Sequence, residues 1–277
     1  MQYFLTHDEM TRFTSALKAT IAIPFIDDIE DYVVEAIWEH AKSIDGVDPF
    51  YNIRSKKLYD VVDENTHVGW SVKSIQWAFY NECEFELVIQ RADVYKKATD
   101  LGFEPLDSSS DPNRIGAALL KHWQNKVNGD AEDQRVTSKR ILVLLKTADK
   151  KHYAVFEEDI VQYATEDLYW EWTNADKNGL KGYRCSDNMC VYRWYPSQKQ
   201  LFERFILPTE TQRVDITPIR LDKKQFVSQP RIKNDGLYFD ISDEIIVDMN
   251  VPFLVIVHGV AFADLNFLNQ PHQRGTV

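Results

Sequence analysis

Two residues of opposite charge stand inside stretches that otherwise read as apolar strands. Residues 58–62 and 68–75 alternate as two short strands joined by a polar turn at 63–66; the first carries Asp60 and the second Lys73. Side chains alternate across a strand, so Ser71, Lys73 and Ile75 are expected on one face and Trp70, Val72 and Ser74 on the other. An ammonium among apolar neighbours is costly unless an acid, a metal-bound water or a phosphate lies beside it. Asp60, one strand away, supplies such an acid. The pair is either a structural ion pair across a hairpin or the beginning of a site that handles charged oxygens.

Asp60, ten intervening residues and then Ser71-Val72-Lys73 resemble the signature of the PD-(D/E)XK nucleases, the fold of most Type II restriction endonucleases. That signature is an acid on one strand and acid-x-lysine on the next. Tyr59 stands where the family has proline, and Ser71 stands where it has Glu or Asp. A subgroup of these enzymes is similar in carrying a small residue before x-Lys and a Glu further along that restores the missing carboxylate. Glu86 lies 13 residues after Lys73, with Glu82 and Glu84 as neighbouring options. The resemblance implies a restriction-endonuclease-like α/β fold, a central mixed sheet flanked by helices. It also implies a catalytic set of Asp60, Ser71, Lys73 and Glu86, with Asp60 and Glu86 holding Mg2+. Several members place a supporting carboxylate on the helix before the catalytic strands, where Glu30 and Glu35 are the candidates.

The residue types suit that chemistry. Phosphodiester hydrolysis uses a divalent ion to offset charge on the scissile phosphate, and two carboxylates at strand ends can hold Mg2+ with its waters. A lysine nearby orients or deprotonates the attacking water, or stabilises developing charge. Asp63 replaces Asp60 if the strand register differs.

The elements expected to position these residues are a helix at 7–20 capped by Thr6, and a second at about 28–43 with acids in its first turn. A strand at 50–54 leads into the hairpin, another spans 83–94, and a helix or turn follows at 95–101. Pro112 opens a helix that carries Ile115, Leu119, Leu120, Trp123 and Val127. The run at 140–146 is apolar enough for a strand buried on both faces, and 153–156 is its hairpin return. After residue 165 short strands rich in aromatics follow, then further strands at 225–227, 236–241, 244–247 and 253–260. Residues 1–165 are expected to form a nuclease-like catalytic core and 166–277 a β-rich recognition region, across a soft boundary that allows one shared core.

The net charge of −11 argues against a nucleic-acid partner only as an average. Residues 177–233 carry twelve Lys and Arg against five Asp and Glu, a balance of +7, which leaves −18 for the remainder. Within that segment Arg184, Arg193, Lys199 and Arg204 are candidate phosphate or guanine contacts, and Gln198 a candidate base or backbone contact. Alternating aromatics such as Tyr192 and Trp194 read equally as core. Cys185 and Cys190 form half of a zinc site with no second half; His122, His152 and His258 are isolated and read as structural.

A chain of 277 residues, 44% hydrophobic and 13% aromatic, can bury a large core. Its 27% charge and mean hydropathy of −0.40 argue against a membrane protein. Three cysteines and a start lacking the features of a secretory signal suit the cytoplasm. The expectation is a Mg2+-dependent, sequence-specific endonuclease acting on double-stranded DNA as a homodimer. The alternative is a non-catalytic nucleic-acid-binding protein on a nuclease-like fold, favoured by the missing acid at Ser71.

Overall fold

The apolar run at 140–146 lies inside a sheet covered on both faces, which is why it lacks the polar alternation of a half-exposed strand. The structure is a computed structural model that describes residues 2–22, 28–44, 57–77 and 83–218, with the backbone of four further strands. In chain order these are β1 (Gln2–Tyr3), α1 (His7–Ala22), α2 (Asp31–Lys42), β2 (Val61–Asp63), β3 (Val68–Trp77), β4 (Glu84–Arg91), α3 (Val94–Lys97), α4 (Pro112–Asp133), β5 (Ser138–Thr147) and β6 (His152–Asp159). Then follow β7 (Leu168–Trp172), β8 (Leu180–Arg184), β9 (Cys190–Tyr195), β10 (Gln200–Ile206) and β11 (Gln212–Asp215). The last four, β12 (Pro230–Lys233), β13 (Gly236–Phe239), β14 (Phe253–Val257) and β15 (Val260–Asp264), form two separate hairpins. The strands expected at 50–54, 225–227 and 244–247, and also Glu82 and His258, lie outside the described residues.

The protein is a mixed α/β structure with two main sheets. The first runs β1-β6-β5-β3-β2, with β11 also on β6; β3 and β5 are parallel and the other pairs antiparallel. The second runs β4-β10-β9-β8-β7 and is antiparallel throughout. One face of the first sheet, with Trp70, Val72, Leu142, Leu144, Tyr153 and Val155, packs on α1 and α2. The other face, with Trp77, Ile141, Val143, Leu145 and Phe156, packs on α4 and the inner face of the second sheet. Strands on the two sides of residue 165 interleave: β4 pairs with β10, and β11 pairs with β6.

Local signals explain the helices. Thr6 and Glu9 close a capping box on α1, with the Glu9 amide donating to Thr6 Oγ1 (3.3 Å) and the Thr6 amide to Glu9 Oε2 (2.7 Å). Asp111 caps α4 by accepting from the amides of Asn113 (2.8 Å) and Arg114 (3.2 Å), and Pro112 fills its first position. The strand expected at 58–62 is shortened to three residues, because the backbone at 58–59 bonds to α4 instead of to a neighbouring strand.

The second sheet is pinned to α4 by Trp170, whose ring lies over two glycines. A Cβ at Gly116 would come within 2.2 Å of that ring, and one at Gly182 within 2.9 Å. The ring stacks on Tyr192 at 6.3 Å with planes 5° apart. Gly129, further along α4, faces open space. Alanine is the better helix former by roughly 1 kcal/mol, so the two glycines of α4 should respond in opposite ways. Gly129→Ala is expected to raise the urea midpoint. Gly116→Ala is expected to lower it, by roughly 1–3 kcal/mol of overpacking that outweighs the propensity gain. A shift of both variants in the same direction would contradict this packing.

Candidate functional site

The site is set by a mismatch in strand length. β2 has three residues and β3 ten, so the edge of β3 beyond Trp70 has no partner strand among the described residues. Along a strand the N–H and C=O of one residue point to the same side, so both groups of Val72 and of Ser74 face this open edge. Carboxylates occupy it. Asp60 Oδ2 accepts from the Val72 amide at 2.8 Å, and Asp31 Oδ1, from the first turn of α2, accepts from the Ser74 amide at 2.8 Å. Lys73 extends over the same edge, its Nζ 2.9 Å from the Val72 carbonyl oxygen and 3.8 Å from Asp60 Oδ2. Asp60 and Lys73 therefore meet.

Asp60 is held by the segment before it. The Leu58 amide donates to Asp130 Oδ2 of α4 (2.6 Å), and the buried Tyr59 donates its hydroxyl to the Val127 carbonyl (3.0 Å). Gln134 brackets Tyr59, donating to its carbonyl at 2.8 Å and accepting from its amide at 3.4 Å. A proline at this position has no N–H and no hydroxyl to give. The Tyr59 ring also fills the space beside Gly69, where an added Cβ would lie 2.8 Å from it.

Lys146 of β5 joins from the neighbouring strand. It is buried, pairs with Asp28 at 2.8 Å and donates to the Ile29 carbonyl, and the Ser74 hydroxyl donates to that same carbonyl at 3.2 Å. The start of α2 is thereby fastened to the C-terminal ends of both parallel strands. Against the cost of partial burial, the Lys146 ammonium holds the Asp28 carboxyl below its usual range.

The other expected site residues are elsewhere. Ser71 is 2% exposed and lies in register with Ile141; an ionised acid here would lose its water, whereas serine is neutral. Glu86 is on β4 of the second sheet, paired with Arg193 at 3.0 Å, and Glu84 pairs with Arg204. Asp63 closes the turn between β2 and β3, accepting from the Thr66 hydroxyl (2.6 Å) and the Asn65 amide (2.9 Å). Glu30 is the N-cap residue of α2, and Glu35 lies one turn after Asp31. Among the described residues, no three His, Cys, Asp or Glu are grouped to hold a metal ion. Asp31 is the carboxylate that sequence reasoning missed. Acids at a helix start are explained by the helix dipole alone, and nothing local shows that this one caps a distant strand.

The four cations singled out in the basic segment are each paired with an acid within the fold. Arg184 pairs with Asp187 in its own turn (2.5 Å), Lys199 with Asp93 (2.6 Å), and Arg193 and Arg204 with the two acids of β4. Gln198 sits on the exposed turn between β9 and β10. Cys185 and Cys190 are free thiols flanking the turn between β8 and β9. His122 lies by Gln90 and the Arg91 carbonyl, and His152 pairs with Asp215 at 2.7 Å.

Two acids with altered proton affinity lie between the sheets. Burial, and then the Glu158 carboxyl, push Glu203 up to about 8; burial pushes Glu158 up to about 7. Glu203 is 9% exposed on β10. Its unfolded form titrates near the ordinary 4.5. Between that value and about 8 the folded chain keeps a proton that the unfolded chain releases, so the contribution to stability falls as pH rises through this window. Glu203→Gln is expected to flatten the fall and leave the variant more stable than the parent at about pH 8. Chemical denaturation at about pH 5 and about pH 8 reads this out, and an unchanged slope would place the titration elsewhere.

Neither a family model, a curated protein nor a solved structure matches the chain. Among the described residues no helix is long and apolar enough to cross a membrane.

Proposed function

We propose that this protein is a metal-dependent nuclease that hydrolyses phosphodiester bonds of double-stranded DNA at the open edge of β3. The observation that carries this reading is the approach of Lys73 to Asp60 beside the Val72 carbonyl, where β2 ends and β3 runs on alone. A mixed sheet with helices on both faces, bearing the acid and the lysine at neighbouring strands, agrees with the PD-(D/E)XK resemblance and supports a restriction-endonuclease-like arrangement.

The edge fits a hard cation in part. Magnesium is bound through one or two carboxylates, with waters completing its shell. The Lys73 ammonium touches the Val72 carbonyl and lies near Asp60, so these two oxygens converge on one positive charge. Asp60 and the Val72 carbonyl would hold the ion, and Asp31 is the second carboxylate on the edge. When bound, Mg2+ would offset charge on the scissile phosphate. Lys73 would orient the attacking water or steady the phosphate oxygen. Asp31 and Lys146 fix the strand ends behind it. Cutting both strands requires two such sites, which a homodimer would supply.

A second reading has its own support. Glu86 is committed to Arg193 and Ser71 is sealed in the interior, so the expected second metal ligand is not at this edge. A protein that binds nucleic acid without cutting it fits that arrangement. Plasmid incubated with Mg2+ or with EDTA, with binding followed in parallel, separates the two readings.

Lys73→Ala is expected to keep the fold and DNA binding while cleavage falls by about a hundredfold or more. Glu86→Ala, which touches only the outer face of the second sheet, is expected to cut within a few-fold of the parent. Undiminished cleavage by Lys73→Ala would sink the assignment of the site. Loss of cutting in Glu86→Ala would return Glu86 to the ligand set.

A further inference from the structure

At one end of the second sheet, the last residue of β4, the short helix α3 and the turn between β9 and β10 enclose a cleft of about 470 Å³. Its walls are Arg91, Asp93, Lys97, Gln198, Lys199 and Gln200. None of these six is a hydrophobic residue, and every one ends in a charged or amide group. Three cations face one carboxylate, in a protein whose net charge is −11. The lone acid is already satisfied by Lys199 at 2.6 Å. Arg91 and Lys97 are both exposed, and among the described residues neither has a carboxylate within ion-pair distance. They stand apart from Arg184, Arg193 and Arg204, whose charges are spent on acids within the fold.

The frame of the cleft is fixed. Arg91 is in register with Gln200, the Ala92 amide donates to the Lys199 carbonyl (2.7 Å), and Trp194 Nε1 donates to the Ala92 carbonyl (2.8 Å). The Lys199 amide closes the turn onto the Tyr195 carbonyl at 2.8 Å. Two free cations on a rigid frame, flanked by the amide side chains of Gln198 and Gln200, are the groups that take phosphate oxygens and the sugar and base edges beside them. We propose that this cleft is an anion site that grips the phosphate backbone of duplex DNA, with Arg91 and Lys97 touching the phosphates. It shares no residue with the Asp60–Lys73 edge, and it would hold the substrate while that edge acts on it. The sequence pointed to Gln198 and Lys199; the two free cations come from a segment a hundred residues earlier.

The site rests on the nuclease reading for its ligand, and the test separates the two. Binding of a fluorescent DNA duplex is followed by anisotropy over a range of salt, without Mg2+, for the parent chain and for Arg91→Gln with Lys97→Gln. Removing one cation that neutralises a phosphate reduces the salt slope by roughly 0.9, so the double variant should bind at least about tenfold more weakly with a slope shallower by roughly 2. A double variant that is folded by circular dichroism and binds with parental affinity and slope overturns the cleft, while cleavage by the parent keeps the nuclease reading. If the parent binds no duplex, the nuclease reading fails and calorimetry with pyrophosphate judges the cleft. Pyrophosphate binding by the parent that is abolished in the double variant then supports an anion site for a smaller phosphate ligand, and absence of binding overturns it.

Discussion

The structure around the candidate site depends on one constraint: backbone amides inside a fold must find acceptors, and β3 outruns the strand beside it. Val72 and Ser74 are the amides left over, and two carboxylates from different parts of the chain answer them. An unmet buried amide costs about 1–3 kcal/mol; the bond from Val72 to Asp60 is partly buried and that from Ser74 to Asp31 exposed, so the sheet holds Asp60 the more firmly of the two. A charge-assisted bond from an amide to a carboxylate is stronger than a neutral one. The same bonds bring negative charge to one edge, and Lys73 offsets it there.

The hairpin was legible because its signals are local. A turn of polar residues between alternating strands places Asp60 opposite the strand of Lys73, whatever the rest of the chain does. The first two helices, the Pro112 helix and the buried strand at 138–147 were legible for the same reason. Sheet membership was not. The strand carrying Glu86 has the same apolar alternation in either sheet, and only the distant β10 decides where it pairs. Offset from Lys73 along the sequence therefore said nothing about distance in space. A charge count over one segment likewise leaves out partners from elsewhere: Glu84, Glu86 and Asp93, which pair with Arg204, Arg193 and Lys199, lie outside the +7 segment.

The interleaving of strands follows from the core as much as from the ladder. α4 fills the space between the sheets, and Trp170 reaches it only where α4 has a glycine. Phe156 of the first sheet meets Phe205 of the second edge to face at 6.1 Å, and Trp77 meets Phe85 at 6.5 Å. Into this apolar interface the chain sets Glu203 and Glu158, and the shared burial raises the proton affinity of both. On the opposite face of the first sheet, Glu157 is likewise buried but is paired, accepting from Trp70 Nε1 and Arg140 Nη1 at 2.7 Å each.

Tyr59, standing in the proline position of the signature, changes what kind of object the acid-bearing segment is. A proline would stiffen that segment from within by restricting its own torsion. Tyr59 instead ties it from outside, through its hydroxyl on the Val127 carbonyl and both backbone groups on Gln134. Asp60 is thereby tied to the last turns of α4, residues 127–134, as well as to β3 through its own amide on the Trp70 carbonyl and its carboxylate on the Val72 amide. The two residues of that helix end that hold the segment first, Val127 and Asp130, are both buried. The position of the acid is thus shared between a helix end and a sheet edge that the sequence keeps far apart.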